Sequence, residues 1–331
     1  MTLLSALRDL GRAFPVRLAI LLPVLTVPAQ AEPPDRPFRI GVVNAAWAAS
    51  HPTVEGLRAG LKELGLATDR QVTFDIRFTE GKLEAMPAAA AALVAAGVDL
   101  LFTSQEAATK AARDATRELP IVFTLVGDPV AAGIVQTLAR PGGNVTGVSS
   151  LQTDLVAKRL EILKTLDPAI RRVWLVYDAV DLSATPMVRR AVATAPRVRL
   201  DVVPHAVADA AAATRLLREM RRGDAVLVPD SSNPELAVAI IEQARAARIP
   251  TVFGTALWVG YGGLVSYGPD YYAQGMQAAA LVAKILRGAR PHDLPVESAE
   301  RVDLAVNLKT AELLGIGVPR KILLRADAFR R

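Results

Sequence analysis

The chain has 331 residues, 51% of them hydrophobic and 22% charged, with 22 Gly, 22 Pro and a formal net charge of +6; this composition is that of a globular protein and excludes collagen, coiled coil and intrinsic disorder. A single hydrophobic core stops growing at roughly 250–300 residues, so a chain this long is expected to divide into two lobes. Cysteine is absent, which excludes disulfide scaffolds, thiolate metal sites, cysteine nucleophiles and a lipid anchor carried on an N-terminal cysteine.

Arg8, Arg12 and Arg17 precede an uncharged apolar run over residues 18–27, which leads into Ala29-Gln30-Ala31. The run is shorter than the ~20 residues a bilayer-spanning helix needs, and the small-x-small pattern is what a signal peptidase reads. Residues 1–31 are expected to be a secretory signal peptide cleaved after Ala31, delivering the chain to the periplasm. Removing them takes away three Arg and one Asp and lowers the formal charge from +6 to +4. The remaining basic residues are mixed with acidic ones, and no run of them alternates with aromatics, so no nucleic-acid partner is expected.

From Phe38 onward short β-branched runs alternate with amphipathic segments, the signature of βαβ units around a parallel sheet. Strands are expected over residues 38–43, 72–78, 98–102, 121–126 and 145–149. Helices are expected between them over 57–64, 83–96, 106–118 and 130–139, with Gly65 and Gly97 closing the first two. The rhythm then restarts, with helices over 154–166, 186–195, 208–220 and 234–247 and strands over 173–177, 198–203, 225–228, 251–253 and 264–267. A long helix over 271–287, capped by Asp270, precedes a proline-bounded linker. The tail reads as a strand over 302–306 and a helix over 308–314. The fold class is therefore α/β, two Rossmann-like lobes built on open parallel sheets.

The motifs of α/β enzymes are absent. The turn after the first strand is Asn44-Ala45-Ala46-Trp47, not a dinucleotide G-x-G-x-x-G, and Gly81-Lys82 is followed by Leu83, so no Walker pattern exists. No G-x-S-x-G elbow is present. His51, His205 and His292 stand apart from one another and from carboxylates at metal-ligand spacing. No catalytic residue, no metal site and no cofactor is expected.

Ligands of open α/β sheets bind outside the carboxyl ends of the strands. There Thr103, Ser104 and Gln105 open a helix whose free N–H groups suit a carboxylate, although Ser104 as a simple helix cap accounts for its presence equally well. Asp128 precedes Pro129 in the pattern of a cap. Asp230 follows the strand at 225–228, and Asn233 is available as the cap of the next helix, which leaves Asp230 for a ligand ammonium. Tyr177 and Tyr267 add aromatic hydrogen-bonding partners, and the whole set suits a zwitterion. Trp47 and Trp258 lie in loops after strands, with local packing the preferred reading for Trp258.

Asp128-Pro129-Val130, Gly133-Ile134-Val135, Leu138-Ala139-Arg140-Pro141-Gly142-Gly143-Asn144, Gly262-Gly263-Leu264-Val265-Ser266-Tyr267-Gly268-Pro269-Asp270 and Asn307-Leu308-Lys309-Thr310-Ala311 occur in this order along the chain. Together they resemble the tryptophan/tyrosine-type substrate-binding proteins of ABC importers. The resemblance implies a type I periplasmic-binding-protein fold with a three-crossing hinge, lobe 1 holding residues 38–148 plus 268–298 and lobe 2 residues 149–267 plus 299–331. It implies a ligand pocket at Asn44, Thr103, Ser104, Gln105, Thr124 and Asp128 in the first lobe and at Tyr177, Asp230 and Tyr267 in the second lobe or hinge. Where members of the family often read Thr-Pro-Ala-Ala, this chain has Ser104-Gln105-Glu106-Ala107, which adds an amide and a carboxylate at the mouth. The expected function is capture of a small polar ligand, an amino acid or related organic acid, by a monomer that closes its lobes and docks on an inner-membrane ABC permease. A receptor reporting to a membrane sensor kinase and an exported α/β enzyme are the alternatives.

Overall fold

The computed structural model describes residues 36–45, 51–66, 70–181, 184–229 and 233–330. The expected leader at 1–31, Trp47 and Asp230 lie outside the described residues. The first lobe is entered through β1 (Phe38–Asn44), α1 (Pro52–Glu63), β2 (Val72–Phe78), α2 (Met86–Ala95), β3 (Leu100–Ser104), α3 (Glu106–Ala115), β4 (Ile121–Val126) and β5 (Val145–Ser149). The chain then passes to α4 (Gln152–Leu166), β6 (Arg172–Asp178), α5 (Ala184–Thr194), β7 (Asp201–Val207), α6 (Ala210–Leu217), β8 (Asp224–Val228), α7 (Pro234–Ala246), β9 (Thr251–Phe253), α8 (Ala256–Gly260) and β10 (Val265–Pro269). It continues with α9 (Tyr271–Leu286), β11 (Glu297–Ser298), β12 (Val302–Asn307), α10 (Leu308–Leu314), α11 (Arg320–Leu323) and β13 (Ala328–Arg330).

Two sheets result, one ordered β11-β5-β4-β3-β1-β2 and the other β13-β12-β10-β9-β8-β6-β7. The chain leaves the first sheet after β5, returns to it with α9 and β11, and leaves again before β12. These are three crossings between two lobes, as the family resemblance implied. The first sheet is parallel throughout, and its inner strands β1, β3 and β4 are largely apolar on both faces because helices cover both. One core packs Ile40, Val42, Leu100, Phe102 and Val122 under α1 and α9, and another packs Val43, Leu101, Ile121 and Phe123 under α2 and α3. The second sheet repeats the plan with a core around Leu160, Val173 and Leu227 on one side and a core around Trp174, Val226 and Ile240 on the other. It departs from a purely parallel sheet at β12, which runs antiparallel to β10.

Three differences from the sequence reading have local causes. No helix forms over 130–139: Asp128 Oδ1 accepts the Ala131 N–H at 2.9 Å, and the Pro129 carbonyl accepts from both Ile134 and Val135 at 2.9 and 3.1 Å. Gly133, at φ +68°, then reverses the chain, so this is a side-chain-closed turn and not a helix start. The strand expected at 198–203 begins later, at Asp201, because residues 195–198 form a 3₁₀ turn closed by Arg199 at φ +54°. β7 is an edge strand, which is where Pro204 is tolerated. Finally β3 runs on to Ser104, so Ser104 belongs to a strand end and does not cap α3. No helix among the described residues is long and apolar enough to cross a membrane.

Candidate functional site

The carboxyl ends of β3 and β4 and the start of α1 carry a connected row of polar groups. His51 caps α1, its Nδ1 accepting the Thr53 N–H at 3.3 Å and lying 2.7 Å from Thr53 Oγ1. Thr53 Oγ1 is 3.1 Å from Ser104 Oγ, which is 3.3 Å from Thr124 Oγ1. All three hydroxyl residues are fully buried. Burial pushes the His51 imidazole down from 6.5 to about 4, so the ring is neutral at pH 7 and, with Nδ1 accepting, carries its proton on Nε2. Thr53 then donates its hydroxyl proton to His51, and Ser104 donates to Thr53. The His51 ring stacks with Tyr271 at the start of α9, with centroids 6.1 Å apart and planes 24° from parallel.

Backbone strain concentrates at the same end of the lobe. Gln105, which opens α3, has φ +77° and ψ 162°, a region essentially reserved for glycine. It is held there by its N–H on the Thr124 carbonyl at 2.9 Å and by its own carbonyl, which accepts from Thr109 N at 3.1 Å and Thr109 Oγ1 at 2.8 Å. Leu125 has φ +58° where β4 breaks register with β5, and the Gln274 side chain of α9 accepts its N–H at 3.4 Å. Leu151, at the first crossing, has φ +55°. Three strained residues that are not glycine at one rim mark a place where the fold spends stability on geometry.

The second lobe contributes Asp178 at the end of β6, whose Oδ1 accepts the Val180 N–H at 3.1 Å and whose Oδ2 accepts from Asn233 Nδ2 at 3.0 Å. Asn233 also caps α7 through the Leu236 N–H at 3.1 Å, as expected from sequence. Arg159 of α4 is fully buried. Its Nε donates to the Tyr267 carbonyl at 2.8 Å, its Nη1 to the Gln152 carbonyl at 3.3 Å, and its Nη2 to Gln152 Oε1. This guanidinium ties α4, which follows the first crossing, to β10, which precedes the second.

Between the lobes lies a cleft open to solvent, with about 220 Å³ of enclosed space, lined by Gln105, Leu125 and Asp128 on one side and by Gln152, Asp181 and Met187 on the other. Gln105 and Asp128 line it. Ser104 and Thr124 meet in the polar row, and Asn44 is buried at the end of β1. Thr103 points away from that row, its Oγ1 2.9 Å from Thr109 Oγ1 of α3. Tyr177 and Tyr267 pack partly buried against the core of the second lobe. Trp258 is buried beside Phe253. Sequence reasoning missed His51, Thr53, Gln152 and Arg159; the His51-Pro52-Thr53 run was legible as a cap with proline at N1, but its partners across β3 and β4 were not.

The arrangement suits binding more than catalysis. Ser104 is separated from the imidazole by Thr53, its proton is directed inward, and an imidazole titrating near pH 4 is a weak base, so no activated nucleophile results. Among the described residues no group of three His, Asp or Glu is placed to hold a metal ion.

The family model described as ABC transporter substrate binding protein matches residues 43–330. A tyrosine-binding protein of Clostridioides difficile is 25% identical over 278 residues, covering 82% of this chain and 80% of that protein. A solved structure of a conserved domain protein from Vibrio cholerae superposes with a TM-score of 0.81 at 28% identity, over 89% of this chain and 100% of that one. An ABC domain of Streptococcus pneumonia in complex with L-Trp superposes with a TM-score of 0.80 at 28% identity, over 88% and 99% of the two chains.

Proposed function

The chain belongs to the family of ABC transporter substrate-binding proteins, which bind solutes and are not enzymes, and on that premise we propose that it is the periplasmic receptor of an importer, closing its lobes on an amino acid or a related organic acid. The observation that carries this reading is the inter-lobe cleft, in which both lobes present polar groups from strand ends. The N–H groups that open α3 and the Nε2–H of His51 suit a carboxylate. Asp128 and Asp230 are the carboxylates we assign to an ammonium. The tyrosine named for one relative and the L-Trp held by another favour an aromatic amino acid.

On this reading the ligand contacts are drawn from Asn44, Ser104, Gln105, Thr124, Asp128, Tyr177, Asp230 and Tyr267, with Thr103 supporting α3. The lobes comprise residues 38–148 plus 268–298 and 149–267 plus 299–331, and the three crossings are the hinge. Ligand binding shifts the open–closed equilibrium, and the closed monomer docks on a permease. A signal peptide over 1–31 accounts for export.

The test is isothermal calorimetry of the full chain against L-tyrosine, L-tryptophan, other amino acids and small organic acids, with thermal unfolding in parallel. An amino acid is expected to bind and to raise the midpoint. Ser104→Ala is expected to weaken it by roughly tenfold, the worth of about one hydrogen bond. Heat from none of the amino acids or organic acids refutes the substrate class.

A further inference from the structure

Gln152 opens α4 just after the first crossing, where Leu151 has φ +55°. It lines the inter-lobe cleft yet is only 8% exposed, so its amide must find most of its partners within the protein. The side chain is pressed between the lobes. A methyl group built on Gly127, which lines the cleft from the first lobe, would lie 3.2 Å from Gln152 Cβ, and Gln152 Nε2 is 3.5 Å from the Gly254 carbonyl oxygen of the second lobe. Arg159 decides which end of the amide faces which way. Its Nη2 donates to Gln152 Oε1, while its Nε and Nη1 are fixed on the Tyr267 and Gln152 carbonyls.

A guanidinium has donors only, so the amide turns its oxygen toward Arg159 and its NH₂ away. The flipped amide would set donor against donor and deprive a fully buried guanidinium of an acceptor, so the orientation is held. The amino group carries two N–H bonds, and the Gly254 carbonyl, at the outer limit of hydrogen bonding, takes at most one of them. We infer that Gln152 is a ligand-contacting residue of the cleft, whose remaining N–H takes a carboxylate oxygen of the ligand. The inference rests on the functional reading above and deepens it, because a fixed donor at this place decides between a free acid and its amide. Gln152 moves with α4 and Gln105 with the first lobe, so a carboxylate held from both sides favours the closed arrangement.

The experiment is calorimetry of the full chain with each amino acid or organic acid that binds, L-tryptophan and L-tyrosine first, against the carboxamide of the same compound. Wild type is expected to prefer the free acid. Gln152→Met keeps the length of the side chain and removes the donor, and is expected to weaken binding of the acid roughly tenfold. Gln152→Glu keeps the shape and the acceptor for Arg159 but turns an acceptor to the ligand, so it should lower the preference for acid over amide by roughly tenfold, since a carboxamide can donate to it and a carboxylate cannot. Thermal unfolding of both variants without ligand reads damage to the Arg159 anchor separately. A purely structural role would weaken acid and amide alike, so equal losses for the two overturn the inference. A wild type that binds, with both variants within about twofold of it for the acid, overturns this inference alone, whereas a wild type that binds no amino acid or organic acid overturns the functional reading and this inference with it.

Discussion

Helices α1 and α9 meet backbone to backbone, and the contact is possible only because glycine lines it. A methyl group built on Gly275 would lie 2.0 Å from the Thr53 carbonyl oxygen, and one on Gly56 would lie 2.0 Å from the Tyr272 carbonyl oxygen. Ordinary contact begins at 3.4 Å, so Gly275→Ala requires the two helices to part by about 1.4 Å. No rotamer change can relieve a clash with backbone, and the interior around it is close-packed. Overpacking of this kind costs about 3 kcal/mol at the upper end of the usual range, and the better helix propensity of alanine returns about 1 kcal/mol. The net expectation is a loss of about 2 kcal/mol, or a midpoint lowered by about 3 °C in a chain of this size. Urea unfolding followed by circular dichroism measures it, with Gly317→Ala as the control, because a methyl there meets nothing within 4 Å. Because the clash falls on Thr53, ligand affinity should fall along with stability. A Gly275→Ala protein within about 0.5 kcal/mol of the Gly317→Ala control would refute the argument.

Three further outcomes follow from the site. The folded state holds His51 at about 4 against 6.5 in the unfolded chain, so as pH falls through that window only the unfolded chain takes up the proton and stability is lost, by about 3 kcal/mol in all, with no contribution from this group above it. His51→Asn keeps a capping acceptor, and its denaturant midpoint should lack that component of the acid loss between pH 7.5 and 4; an unchanged profile would show that His51 is not the group responsible. Asn233→Ala removes both the cap of α7 and the partner of Asp178, and should cost about 1–2 kcal/mol in urea titration. Arg159→Met should cost about 2–4 kcal/mol, since the Tyr267 and Gln152 carbonyls lose a charged donor in the interior, and a loss below about 0.5 kcal/mol would deny that this guanidinium holds α4 to β10.

The alternation of apolar runs with amphipathic segments was sufficient for the α/β class, because a strand buried on both faces and a helix buried on one leave different periods in the sequence. β2, β4, β5, β9 and α10 fall where those periods put them, and the caps Asn233 and Asp270 were legible since capping is decided within four residues. Segment 130–139 misled for the same reason: an Asp-Pro pair signals a helix start, and only the hydrogen bonds to the Pro129 carbonyl and the reversal at Gly133 make it a turn. A helix cap is one of the two readings of Ser104 that its neighbours suggest, whereas the pairing of β3 with β4 carries the strand through it. The polar row from His51 through Thr53 and Ser104 to Thr124 joins positions up to 73 residues apart, and the Trp174–His205 stack joins two neighbouring strands. Local sequence sets period and punctuation, but which buried polar groups meet, and which are left without a partner, depends on strand order and register, and these are decided by the packing of the whole chain.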